Sequence, residues 1–288
     1  NKLDLAAFLS SLGWVQVLQA HYDAAETSLK RALSLQEQYL PPDDKRVVSV
    51  LASLGDVYQE QARFAEAETN YLRVLSIEEQ RQTIDPGPLT DILNGLGSLY
   101  NYIGRYDEAR ALYKRALENA KIEFSGREEA LAIATTNLGD LHTDIGNNER
   151  AGELYRRALE ITGTFLKSND LLLGVILTNY AYCHLRQRNL IEASQGYQHA
   201  LGLISRNFGE EHPLLAEVLD GLGALETIQL YWADAEAKLN QALRIRTKVF
   251  GDNHPEVAKT LTSLGTLFVA QGRFQEAEGV FERALTLR

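Results

Sequence analysis

A Leu-Gly pair recurs along this chain at a fixed interval. Its glycines are Gly13, Gly55, Gly97, Gly139, Gly223 and Gly265, spaced by 42 residues or by twice that. At the one skipped position stands Ala181, the next-smallest residue. A register kept without net insertion or deletion through 288 residues makes the chain a stack of seven units, each burying its apolar face against the next. The stretch GRYDEARALYKRAL, Gly104 to Leu117, has the residue mix of a site. ARFAEAETNYLRVL, Ala62 to Leu75, and GRFQEAEGVFERAL, Gly272 to Leu285, repeat it, so it is scaffold.

Each unit reads as two helices. Thr90 to Ile103 places Ile92, Leu93, Leu96, Leu99, Tyr100 and Ile103 at the three-and-four spacing of an amphipathic helix. Gly104 breaks it, and Tyr106 to about Ile122 carries Ala109, Leu112, Tyr113, Ala116 and Leu117 on one face. FSGREE, beginning at Phe124, is the next break. Alanine columns (Ala25, Ala67, Ala109, Ala151, Ala193, Ala235, Ala277; Ala32, Ala116, Ala158, Ala200, Ala242, Ala284) let helices approach closely. A column of large residues, Leu29, Tyr71, Tyr113, Tyr155, Tyr197, Leu239 and Phe281, is expected to fill the core between them. In FGEEHP and FGDNHP glycine ends one helix and proline opens the next, with His212 and His254 placed as caps.

The expected fold is therefore all-α: an α-α superhelical solenoid of seven antiparallel helix pairs without a strand. It forms a single body over 1–288, with repeats at about 3–40, 45–82, 87–123, 128–166, 170–207, 212–249 and 254–288.

These residues resemble the tetratricopeptide repeat: Leu-Gly, an aromatic at Tyr58, Tyr100 and Phe268, then Gly-Arg-Tyr-x-Glu-Ala, Tyr and Ala-Leu. The usual repeat is about 34 residues, and the extra length adds about one turn of ~3.6 residues to each helix. The longer repeat with its Gly-x-x-His-Pro loops resembles the kinesin light chain type and related bacterial and fungal arrays. Repeat five, with NYAYCHLRQRNLIEA, and repeat four, with GNNERA, depart from the pattern.

Composition narrows the function. With 29 basic against 39 acidic residues the chain carries a net charge of −10, which weighs against nucleic acid as partner. No apolar run approaches the ~20 residues of a membrane span, and no signal peptide is visible at the start. The single Cys183 excludes an internal disulfide and favours a reducing, cytoplasmic setting. A chain of this size without methionine is expected to be part of a longer one.

Catalysis and cofactors find no support. His142 and His184 occupy the aromatic column of the first helices, Cys183 an apolar one, and no Cys-x-x-Cys or His-Glu-x-x-His spacing occurs. A basic column, Arg31, Arg73, Arg115, Arg157, His199 and Arg283, reads as a solvated edge with i, i+4 pairs such as Glu153 with Arg157. The expectation is no enzyme, no metal and no cofactor.

The resemblance implies that the first helix of each pair lines a concave groove that binds an extended peptide. The candidate binding residues are Asp56, Asn94, Asn101, Tyr102, Asn137, Asp140, Asn179, Tyr182, Arg186 and Asp220. Thr136, Thr178, Glu60, Asp91, Asp144, Glu217 and Lys259 share the same face. Asn137 and Asn179 match the asparagines with which the family holds a peptide backbone. The carboxylate clamp of the chaperone-binding relatives is absent: only Lys259, or in the register one repeat earlier only Asn179, matches it. Acidic groove residues outnumber Arg186 and Lys259, so the expected partner is a protein or peptide of basic or neutral polar character. The alternative is a sensor or autoinhibitory module of a larger signalling protein.

Overall fold

The computed structural model describes residues 2–81, 86–122, 128–165 and 170–287. Among them lie fourteen helices and no strand. They run α1 (Lys2–Leu18), α2 (Tyr22–Tyr39), α3 (Lys45–Glu60), α4 (Phe64–Gln80), α5 (Pro86–Tyr102), α6 (Tyr106–Ile122) and α7 (Glu128–Asp144). The remainder are α8 (Asn148–Phe165), α9 (Asp170–Arg186), α10 (Leu190–Phe208), α11 (Pro213–Ile228), α12 (Trp232–Phe250), α13 (Pro255–Ala270) and α14 (Phe274–Thr286). Helix α5 starts at Pro86, a turn before the expected Thr90. The break at 123–127 and the expected repeat ends at 82, 123, 166 and 288 lie outside the described residues. The chain divides into two compact units, residues 1–141 and 142–288.

The turn inside each pair is one device used seven times. Ala20, Ala62, Gly104, Gly146, Arg188, Leu230 and Gly272 all have φ between 56° and 82°. This left-handed residue reverses the chain, and the next amide closes the helix end: Arg105 N–H donates to the Tyr100 carbonyl at 2.8 Å. The glycine of GRYDEA is thus there for its backbone.

Packing follows the small-residue columns. Every alanine of both columns is at most 4% exposed. A Cβ at Gly13, Gly55, Gly97, Gly223 or Gly265 would meet the large residue sixteen positions on, at 2.4–2.6 Å. Leu29, Tyr71, Tyr113, Tyr155, Tyr197 and Leu239 are at most 2% exposed, as expected for core. Phe281 is the exception at 37%, because no further helix covers that side of α14 among the described residues.

The arginine of the repeat motif joins one pair to the next. Arg63, Arg105 and Arg273 lie over the rings of Tyr58, Tyr100 and Phe268, 3.8–4.4 Å from the centroids. Each also reaches back one repeat, to Glu26 at 2.9 Å, Glu68 at 2.8 Å and Glu236 at 2.7 Å. Where the arginine is missing, its partner is missing too. Asn147, Asn189 and Tyr231 take its place, and Arg110, Gly152 and Ser194 take the glutamate's. The departures in repeats four and five remove whole ties.

The remaining expectations resolve locally. His212 and His254 cap α11 and α13, each Nδ1 accepting the amide two residues on at 3.3 and 3.2 Å. Cys183 is fully buried, its thiol donating to the Asn148 carbonyl at 3.2 Å. The basic column is a solvated edge: Arg73 pairs with Glu37 at 2.8 Å and Arg115 with Glu79 at 2.6 Å. Glu153 does not pair with Arg157. It takes Arg150, and Arg157 takes Glu160, in each case three residues apart rather than four.

Candidate functional site: the inner face of the first helices

In residues 1–141, α3 approaches both α1 and α5, and in residues 142–288, α11 approaches both α9 and α13. Among the described residues no second helix approaches another second helix. A curved stack has its shorter spacing on the inside, so within each unit the first helices form the inner wall.

In the first unit a cavity of 240 Å³ opens between α3 and α5 with α4 as its floor. Lys45, Ser49 and Asp56 line it from α3, Tyr71, Val74 and Glu78 from α4, and Asp91 from α5. The Tyr71 hydroxyl donates to Asp56 Oδ1 at 2.8 Å. Asp56 is open to the groove yet ringed by protein on its other sides, since a groove wall is wet on one side only. That enclosure, opposed by the Tyr71 hydrogen bond and assisted by the charge of Asp91, pushes its carboxyl up to about 6. Glu78, 7% exposed, is held by Arg81 at 2.6 Å.

In the second unit the corresponding place holds a guanidinium. Arg246 of α12, 4% exposed, pairs with Asp220 Oδ2 and donates to the Thr260 hydroxyl, and its Nε lies 3.6 Å from Glu256. Thr260 in turn donates to Asp220 at 3.1 Å. Burial works against the Arg246 charge, but Asp220, Glu256 and Glu217 outweigh it and hold the guanidinium above its ordinary range.

The candidate residues therefore fall into three groups. Asp56, Tyr102, Tyr182 and Arg186 are exposed; Tyr102 lies 5.2 Å from the ring of Phe64, and Arg186 donates to the Tyr182 hydroxyl at 3.2 Å. Asn101, Asn137, Asp140 and Asn179 are half-buried on the same helix faces. Asn94 and Asp220 need correction. Asn94 is 6% exposed and packs inward. Asp220 belongs to the Arg246 cluster. Thr136 and Thr178, expected to line the groove, are buried, each hydroxyl donating to the carbonyl four residues back at 2.8 Å.

Sequence reading missed Tyr71, Glu78, Arg81, Arg246 and Glu256. The signal was present for two of them. Glu78 and Arg246 stand in a column whose other described members, Gln36, Ala120, Thr162 and Ile204, are all buried and uncharged. A charge in a core column marks a place where the groove floor has turned polar.

Among the described residues no three His, Cys, Asp or Glu side chains come together as a metal site, and no helix is long and apolar enough to cross a membrane.

Comparison with known proteins agrees with this architecture. The tetratricopeptide repeat family matches residues 4–80, 89–162, 172–231 and 231–288, and a second profile of the same family matches 52–121. The chain belongs to the tetratricopeptide repeat family. No curated protein matches it. Among solved structures it is similar to BtubC (BKLC) from P. vanneervenii, a kinesin light chain-like repeat protein, at 25% identity. That match covers 80% of this chain and 90% of the other, with a TM-score of 0.57. A Rap protein complexed with Competence and Sporulation Factor is 13% identical over all of this chain and 76% of the other, with a TM-score of 0.78. The Rap conjugation gene regulator of plasmid pLS20, in complex with the Phr* peptide, is 15% identical over 98% and 73%, with a TM-score of 0.78.

Proposed function

We propose that the protein is a non-enzymatic interaction scaffold that holds an extended partner segment, basic or neutral polar in character, against the inner faces of its first helices. The observation that carries this reading is the sign of that face. In the first unit Asp56, Asp91 and Asp140 stand on it; in the second Asp144 and Glu217 stand on it beside Arg186, and Lys259 is engaged by Glu256 at 2.5 Å. A concave surface of one sign concentrates its field and speeds the approach of opposite charge. The likeness to a Rap protein complexed with Competence and Sporulation Factor and to a Rap regulator in complex with the Phr* peptide supports the scaffold part of the reading. Such a role suits a cytoplasmic protein with a single buried thiol.

The test is fluorescence anisotropy with matched Lys-rich and Glu-rich peptides. Each exposed charge pair is worth only ~0.2–1 kcal/mol, so several must act together and salt must weaken them. The Lys-rich peptide is expected to bind wild type more tightly and to lose most of that preference on Asp56→Lys/Asp140→Lys. Tighter binding of the Glu-rich peptide would overturn the charge argument.

A further inference from the structure

The cavity between α3 and α5 and the Arg246 cluster occupy the same place in the repeat, four repeats apart. A shift of 168 residues carries Ala52 onto Asp220, Glu78 onto Arg246, Pro88 onto Glu256 and Ile92 onto Thr260. In the second unit the floor residue is an arginine, and its guanidinium lies among two carboxylates and a hydroxyl from the flanking first helices. In the first unit the floor residue is Glu78, which is tied to Arg81, and the space above it is the 240 Å³ cavity.

We propose that this cavity receives an arginine side chain of the bound partner, its guanidinium seated between Asp56 and Asp91; the carboxylates that hold Arg246 have Ala52 and Pro88 as their counterparts here, and Asp56 and Asp91 stand one turn further along α3 and α5. The proposal rests on the groove reading above and names one subsite of it.

Three features suit this guest. The walls are two-sided: Val48, Val74 and Ile92 face an aliphatic stem, while Asp56 and Asp91 supply carboxylates from opposite helices. Long cationic side chains pack in this way, stem on apolar surface and head on charge. A guanidinium is weakly hydrated and planar, so it tolerates a half-enclosed place better than an ammonium does. Finally, the hydrogen bond that Asp56 accepts comes from a neutral donor, Tyr71, and Asp91 repels it, so a cation seated between the two carboxylates relieves that repulsion. Lys45 lines the same cavity and competes with the guest.

The experiment titrates the full chain with N-acetyl-L-arginine methylamide by calorimetry, with the neutral citrulline analogue as control. Wild type, Asp56→Asn, Asp91→Asn and Lys45→Gln are compared. Asparagine at 56 still accepts from Tyr71, and thermal melts check that each variant folds. The arginine probe is expected to bind and the citrulline probe to fail. Either asparagine variant should weaken arginine at least about tenfold, the loss of one charged hydrogen bond, while Lys45→Gln strengthens it. Equal binding of the two probes, or indifference to both asparagine variants, overturns the proposal. The Lys-rich peptide is measured in parallel. If it binds while the arginine probe does not, the subsite falls and the groove reading stands. If the arginine probe alone binds, with the expected variant losses, the subsite stands and the extended-segment reading falls.

Discussion

Gly55 lies so close to Tyr71 that a Cβ on it would come within 2.4 Å of the ring's Cε1. The ring is 2% exposed, and the same Cε1 also lies near Gly95, where a Cβ would stand at 3.3 Å, so it must shift to make room. Gly55→Ala should therefore overpack the pair and cost about 1–3 kcal/mol, read as a fall in melting temperature. Repeat five shows the compensated form: Ala181 replaces the glycine, and opposite it Gly196 stands where repeats three and four have Leu112 and Leu154. A Cβ at Gly196 would lie 2.8 Å from that of Ala181. Gly196→Leu should accordingly destabilise, and Ala181→Gly should recover part of the loss.

The tie between Arg105 and Glu68 crosses from one repeat to the next, and Tyr100 also donates to Glu68 at 2.7 Å. Burial and then this hydrogen bond push the Tyr100 phenol up to about 12. Both charged side chains are about a third exposed. A double-mutant cycle of Arg105→Ala and Glu68→Ala should therefore give a coupling of about 0.5–1 kcal/mol, falling at high salt. Zero coupling at low salt would show that the tie contributes nothing to the stack.

Asp56 predicts a pH dependence with a definite sign. Its folded carboxyl titrates near 6 against an ordinary 3.8, so between these values the folded chain binds more protons than the unfolded one. Stability from this group is complete below the lower value and is lost as pH rises through the upper one. The groups facing it are Tyr71 and Glu78 on α4, Asp91 on α5, Lys45 on its own helix, and Arg81. The difference between wild type and Asp56→Asn isolates its share: the variant's melting temperature should gain on wild type as pH rises from 4 to 6. Parallel profiles would contradict this.

The left-handed turn offers a gain. Leu230 holds φ at 66° with its side chain 66% exposed, so it bears the strain of that conformation without packing in return. A non-glycine residue there costs roughly 1–2 kcal/mol, of which glycine's unfolded-state entropy takes back part. Leu230→Gly should raise stability by up to ~1 kcal/mol by thermal melt. The same change at Ala109, which is fully buried, should instead lower it.

Most of the fold was legible in the sequence because the repeat states it seven times. Wherever a column was uniform, as with the alanines, burial followed. The inner face was harder to read. Periodicity says that Asn94, Thr136 and Thr178 leave the core stripe of their own helices, yet all three are buried. A hydroxyl that can satisfy itself on its own helix, as in Thr136, is free to be buried. Asp220 looked like a groove carboxylate because its partner Arg246 lies 26 residues away on another helix, a distance that no local pattern reports. Charges inside a column that is otherwise buried and uncharged among the described residues, Glu78 and Arg246, were the readable trace of the site.

The central claim is that the inner faces of the first helices are the working surface. The most direct measurement is photocrosslinking of the Lys-rich peptide carrying a benzoylphenylalanine, with the adducts mapped by mass spectrometry. Adducts concentrated on α3, α5, α7, α9 and α11, and suppressed by Asp56→Lys/Asp140→Lys but not by Glu118→Lys on the exposed face of α6, are the expected result. Adducts on the second helices α6, α10 and α12, insensitive to the Asp56 and Asp140 changes, would contradict it.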